Sequence, residues 1–160
     1  MDFKKQIEDI MIMVENLSVK LHPENPITHN DYKVEEQTPH EWPKELPKGY
    51  CAVYFYAHND SVLKIGKANE KSKSRYTSQH YRFNAPSTLA KSLYENSDYK
   101  FKNKEEVKPW MLENLYRINI LIKAEDGYAR TELIESLLHY HFRPRYEGAI
   151  NFHKKKKTTL

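Results

Sequence analysis

The stretch CAVYFYAHNDSVLKIGKA, residues 51–68, sets two runs of β-branched and aromatic residues around one polar break. Residues 51–57 and 62–68 read as strands, because such side chains suit a pleated, half-buried surface. His58, Asn59 and Asp60 form a short turn between them, so the pair is a β-hairpin. A three-residue loop at 58–60 places Ala57 opposite Ser61 and Tyr54 opposite Lys64. Cys51, Val53, Phe55, Leu63 and Ile65 then share an apolar face that must be core. The other face carries Tyr54, Tyr56, Lys64 and Gly66. A phenol beside an ammonium is a candidate acid–base pair, since a nearby cation favours phenolate. The plainer reading is a surface tyrosine packed along a lysine stem. Gly66 inside a strand needs a local reason, such as close approach of a phosphate or another backbone.

Outward from the hairpin, residues 71–80 read as a basic helix, 84–104 as polar and irregular, and 108–115 as a short helix. Residues 117–123 alternate, with Ile118, Ile120 and Ile122 on one face, and read as a third strand. Residues 129–142 form a helix that Pro144 ends. Upstream, Phe3, Ile7, Ile10, Val14, Leu17 and Leu21 make a narrow apolar stripe with a period near 3.5, capped by Asp2. Such a helix either pairs with a second copy or folds back onto the domain. Five prolines (Pro23, Pro26, Pro39, Pro43, Pro47) make residues 22–48 an extended connector, which Trp42 could pin to the surface. The expected class is α/β (α+β): a small three-stranded antiparallel sheet flanked by helices. The expected division is an N-terminal helix and connector over 1–48, a domain over 49–153 and a basic tail over 154–160.

No apolar run is long enough for a membrane helix, and the N-terminus lacks a signal-peptide core, so the cytoplasm is the expected compartment. A single cysteine excludes an intrachain disulfide and a cysteine-based zinc site. The net charge of +4 is mild, but its distribution is uneven. Between Lys64 and Arg82 six basic residues oppose Glu70 alone, and between Arg143 and Lys157 six oppose Glu147 alone. Two such blocks suit a phosphate backbone if the fold brings them together; otherwise they are solvated surface and a tail.

Ala52-Val53-Tyr54, followed ten residues later by Lys64-Ile65-Gly66-Lys67-Ala68, resembles the paired motifs of the GIY-YIG nuclease superfamily. Arg75 follows on the next helix. Further on, ESLLHYHFRPRY (135–146) looks like that family's metal-binding helix, and is especially similar to the nuclease domain of the excinuclease incision subunit. The resemblance covers roughly residues 49–150. Ala52 stands where the first motif prefers Gly. Lys64 stands where the second has Tyr, a variant shared with small restriction endonucleases of the family. Glu147 stands where Asn usually closes the last motif, with Asn151 near enough to substitute.

The resemblance implies a metal-dependent DNA endonuclease that hydrolyses phosphodiesters. Glu135 would bind one Mg²⁺ (or Mn²⁺), a hard cation that favours carboxylate and water. Tyr54 would be the general base with Lys64 lowering its pKa or placing the water, and Lys67 and Arg75 would hold phosphate oxygens. Among Gln79, His80 and Tyr81, one turn past Arg75, His80 ranks first for its proton chemistry. Glu132 is an alternative ligand, and His139 either orients the metal site or simply packs. His139 and His141 do not face one site, which argues against a two-histidine zinc pair. A compact chain with the Lys variant fits a restriction, defence or mobile-element nuclease better than a large repair enzyme. Cutting both strands needs two centres, and the heptad helix offers a homodimer. The competing readings are an inactive nucleic-acid-binding module of the same fold, a DNA repair nuclease, and a structural protein with incidental motifs.

Overall fold

Two apolar faces of one antiparallel sheet organise the computed structural model, which describes residues 1–37, 41–126 and 128–146. In chain order the elements are α1 (Phe3–Leu21), β1 (Tyr32–Gln37), β2 (Tyr50–His58), β3 (Ser61–Ala68), α2 (Lys73–Thr77), α3 (Leu89–Tyr94), α4 (Val107–Asn114), β4 (Tyr116–Lys123) and α5 (Ala129–Phe142). The strands lie in the order β1-β4-β2-β3. Helices α1 and α5 cover one face, over Val53, Phe55, Ile65, Ile118 and Ile120. The segments α2 to α4 cover the other, over Ala52, Tyr54, Tyr56, Leu63 and Leu121.

The sheet has four strands rather than the expected three. The extra strand, β1, lies inside the proline-rich connector and pairs with β4 from Tyr32↔Ile122 to Gln37↔Arg117. Its sequence YKVEEQ is polar because it is an edge strand with one face in solvent, so the alternation is faint. Asp31 starts it by accepting hydrogen bonds from the Thr28 N–H and hydroxyl, both at 2.8 Å. Trp42, further along the connector, rests on Tyr81 with ring centroids 5.7 Å apart.

The α1 stripe folds back. Asp2 caps it by accepting from the Lys5 N–H at 2.9 Å. Its buried residues are Phe3, Ile7, Ile10, Met11, Val14 and Ser18, while Leu17 and Leu21 are exposed. A straight helix of 3.6 residues per turn drifts off a 3.5 repeat, so Met11 and Ser18 rotate into the core as Leu17 and Leu21 rotate out. Ser18 then accepts the Ile27 N–H at 2.8 Å, fixing the start of the connector.

The hairpin differs from the expected register. A two-residue turn, with Asn59 at φ 53°, pairs His58 with Ser61. Asparagine tolerates this left-handed conformation better than most residues. A bulge then leaves Leu63 as the extra residue, so that Tyr56 faces Lys64 and Tyr54 faces Gly66. Tyr54, Tyr56, Lys64 and Gly66 still share a face, but Leu63 turns to join them. Gly66 finds its local reason here. A Cβ at this position would lie 2.5 Å from Tyr54 Oη and 2.6 Å from its Cζ. The tyrosine ring, not a phosphate, occupies the space that a side chain would fill.

Two stability tests follow from this packing. Gly66→Ala should cost about 1–3 kcal/mol, because the Tyr54 ring must move. Ile7→Ala should cost about 2–5 kcal/mol through the cavity it leaves, whereas Leu21→Ala should stay within about 0.5 kcal/mol. Urea unfolding of the three variants checks both; equal costs at Ile7 and Leu21 would contradict docking of α1.

Candidate functional site

The segment after β3 is not the continuous helix expected over 71–80. Residues 70–72 and 79–81 are single 3₁₀ turns flanking the five-residue α2. Asn69 and Ser72 form a reciprocal cap, and the Thr77 hydroxyl bonds back to the Lys73 carbonyl at 3.2 Å. Short polar side chains of this kind compete with helical hydrogen bonding. The break has a consequence for the site. Residues five apart on an unbroken helix point roughly 140° away from each other. With the helix interrupted, Arg75 and His80 both reach Tyr54.

Tyr54 Oη and His80 Nε2 lie 2.7 Å apart, and both residues are buried. The charge of Arg75 acts on the same phenol. Burial raises the Tyr54 phenol to about 12, against the opposing charges of Arg75 and Arg117. Burial also lowers His80 to about 3, helped by the nearby charges of Lys64, Arg117 and Arg75. The resting pair is therefore a neutral phenol and a neutral imidazole that share one hydrogen. The sequence set Lys64 directly opposite Tyr54, but the bulge moves it by two residues. It stands opposite Tyr56, and its ammonium donates to the Tyr146 carbonyl at 3.2 Å. The charges of Arg75 and Arg117 act on Tyr54, which stands across from Gly66.

The second half of the site lies on the other face of β3. Lys67 is paired across from Val53, so it projects towards α5. Its ammonium sits 2.6 Å from Glu132 Oε2 and 2.7 Å from Glu135 Oε2. His139 Nε2 is 3.8 Å from the other Glu135 oxygen. Burial alone would raise the Glu135 carboxyl, but His139 and Lys67 beside it more than reverse this and hold it below its ordinary value. The pairing raises Lys67 in turn, against the opposing effect of its burial. Lys67 and Arg75 also line one pocket of about 150 Å³ with Asn69, Ser72, Tyr128, Thr131 and Glu132. A larger cleft of about 710 Å³, between Phe3, Val62 and Phe142, contains none of the six expected residues.

The six side chains named from sequence thus gather around edge strand β3, with Tyr54, Lys64, Arg75 and His80 on one side and Lys67 and Glu135 on the other. Among the described residues no group of three His, Cys, Asp or Glu converges to hold a metal. Glu135 is nonetheless ionised and partly exposed, and a cation already sits on it. A hard divalent ion bound by one carboxylate and water would fit that donor set.

The Arg-Pro-Arg-Tyr ending of the helix motif has a bracing role. Arg143 closes α5 in the left-handed conformation at φ 47°. The Arg145 and Tyr146 N–H groups then donate to the Val62 and Leu63 carbonyls of β3, at 3.0 and 2.8 Å. Asn96 bonds the Tyr146 hydroxyl and Asp98 pairs with Arg145. Glu147, Asn151 and the basic tail lie outside the described residues.

Sequence reasoning missed Arg117 and Asn119, which are both buried beneath Tyr54. The available signal was Arg117 and Asn119 on the non-isoleucine face of a strand. That signal becomes meaningful only once the strand is known to be central and covered on both faces. No protein family, curated protein or solved structure matches this chain.

His80 supplies a pH test. Its folded value, about 3, lies below the ordinary 6.5, so between these limits the unfolded chain binds the extra proton and acid favours unfolding. From pH 6.5 down to about 5, above most carboxylate titration, wild type should lose stability with a slope approaching one proton. His80→Gln should lack that component. Parallel urea-derived stability curves would mean that His80 titrates as it does in water.

Proposed function

We propose that this protein is a metal-dependent DNA endonuclease of the GIY-YIG type, hydrolysing phosphodiester bonds to leave 5′-phosphate ends. The observation that carries the reading is the convergence of Tyr54, Arg75 and His80 with Lys67 and Glu135 around one strand edge. These residues come from β2, β3, α2, the turn after it and α5, so their meeting is a property of the fold and not of one motif.

Hydrolysis needs a water made nucleophilic, charge neutralised on the phosphate and a stabilised leaving oxygen. Arg75, which is exposed, and Lys67 would draw phosphate oxygens to the edge of β3. A phosphate that draws Arg75 away from Tyr54 would uncover the phenol oxygen. His80 Nε2 would accept the phenol proton across the 2.7 Å contact, and the Tyr54 phenolate so formed would take the proton from water. Glu135 would hold Mg²⁺ or Mn²⁺, which when bound supplies Lewis acidity at the phosphate. Lys67 would leave Glu135 for the phosphate as that charge is satisfied. The plainest role is restriction or defence in the cytoplasm. No helix of the described residues is long and apolar enough to cross a membrane. A cut through both strands would use two chains. Their pairing through α1 would fall on its outer side, at Ile12, Met13 and Leu17, because the inner stripe lies in the core.

One observation favours a second reading, an inactive nucleic-acid-binding module. Tyr54 is 0% exposed, so no substrate atom touches it in this conformation. The two readings separate on plasmid and single-stranded DNA incubated with Mg²⁺ or Mn²⁺. The nuclease reading expects metal-dependent cleavage that Glu135→Ala and Tyr54→Phe each reduce at least about a hundredfold, with DNA binding retained. A folded wild type that binds DNA but does not cut it would leave the binding module.

A further inference from the structure

Beneath the Tyr54–His80 pair lies a guanidinium to which the hydrolytic scheme above gives no part. Arg117, on central strand β4, is 3% exposed. Its Nε donates to Asn119 Oδ1 at 2.9 Å, and its Nη2 donates to the Tyr76 carbonyl at 2.5 Å. Its Cζ lies 4.7 Å from the ring centroid of Tyr76, 5.1 Å from that of Tyr56 and 5.9 Å from that of Tyr54. Among the described residues no Asp or Glu forms an ion pair with it, and the groups that act on it most are Tyr56, Tyr81 and Tyr76.

A buried cation without a counter-anion is costly to keep, and an apolar side chain of similar volume would serve packing better. What the charge does face is a set of phenols, and it attracts most strongly the one that becomes an anion. Its second contact matters equally. Tyr76 lies between Arg75 and His80, so the guanidinium that sits under Tyr54 also ties down the short segment carrying both of its partners.

We infer that Arg117 is a positioning residue of this site: it fixes Arg75 and His80 over Tyr54 and supplies a permanent positive charge that favours the Tyr54 phenolate. The inference rests on Tyr54 being the base of the proposed reaction. The groups facing Tyr54 are Arg75 from α2, His80 from the following turn, Tyr56 from β2, Arg117 and Asn119 from β4, and Glu135 from α5. Arg75 is exposed, and its charge is neutralised once it holds a phosphate. Arg117 is sealed from solvent and substrate, so its charge persists throughout the reaction.

The test compares Arg117→Met and Arg117→Lys with wild type, using fluorotyrosine-labelled chains whose phenols ionise at lower pH than tyrosine's. The ¹⁹F signal of Tyr54 is assigned by its loss in Tyr54→Phe. In Arg117→Met the Tyr54 ionisation should move up by about one pH unit or more, and kcat should fall about ten- to a hundredfold with KM changed less than about threefold. Arg117→Lys should bring the ionisation most of the way back, while kcat stays low because an ammonium cannot reproduce the two-pronged hold on Asn119 and Tyr76. A folded Arg117→Met with unchanged Tyr54 ionisation and kcat within about twofold of wild type would overturn the inference. If the Met variant does not fold, the Lys variant decides: wild-type kcat there would overturn the positioning role. A wild type that cuts no DNA would sink the nuclease reading, while the ¹⁹F titration would still decide whether Arg117 governs Tyr54.

Discussion

Tyr54 lies across a strand position that has no side chain, and the placing of most of the site follows from that contact. Gly66 leaves room for the ring on the edge strand, which carries the phenol oxygen to the place where Arg75 and His80 arrive from the segment after β3. The same edge presents Lys67 on its opposite face, one residue along, to the carboxylates of α5. Alternation in a strand normally separates neighbours by the thickness of the sheet. At an edge strand with a glycine that separation is incomplete, and the Glu135 charge is felt by Tyr54.

The price of this arrangement is a polar core. Lys64, His80, Arg117 and Asn119 are all buried on the α2–α4 face of the sheet. Several of their atoms, among them His80 Nδ1 and Asn119 Nδ2, have no hydrogen-bond partner there. Burial of unsatisfied polar groups opposes folding. The opposite face, where α1 and α5 pack on valine, isoleucine and phenylalanine, carries the compensating apolar burial. Both faces bury apolar side chains, and the α2–α4 face in addition holds groups whose protonation is displaced from its ordinary range. Groups held in this way are what acid–base chemistry requires.

The motif spacing and the structure agree on a less obvious point. The Arg-Pro-Arg-Tyr run is not itself a ligand set. It leads the chain out of α5 and bonds it along the free edge of β3. Glu135 and Lys67 are held in register by that junction, since it ties the helix and the strand that bear them. The edge strand is thereby partly covered, which removes a site for unwanted strand pairing.

Much of this was legible in the chain itself. The strands over 51–68 and 117–123 and the helix over 129–142 follow from local periodicity, as does the membership of Tyr54, Tyr56, Lys64 and Gly66 in one face, because these depend on neighbours in sequence. What tertiary structure alone decided depends on contacts between distant segments. The bulge that sets Tyr54 against Gly66 turns Leu63 into the cluster covered by α2 to α4. The strand YKVEEQ exists because β4 offers it an edge, and its own pattern is too polar to announce it. The α1 helix shows Met11 and Ser18 to the core because the sheet receives a 3.6-residue helix and not a supercoiled one. Arg117 reads as an ordinary strand arginine until β2 and β1 close on either side of it. Sequence determined which residues could do chemistry; the order of the strands decided which of them would be buried together, since burial is set by what covers a face and not by the residue that lies on it.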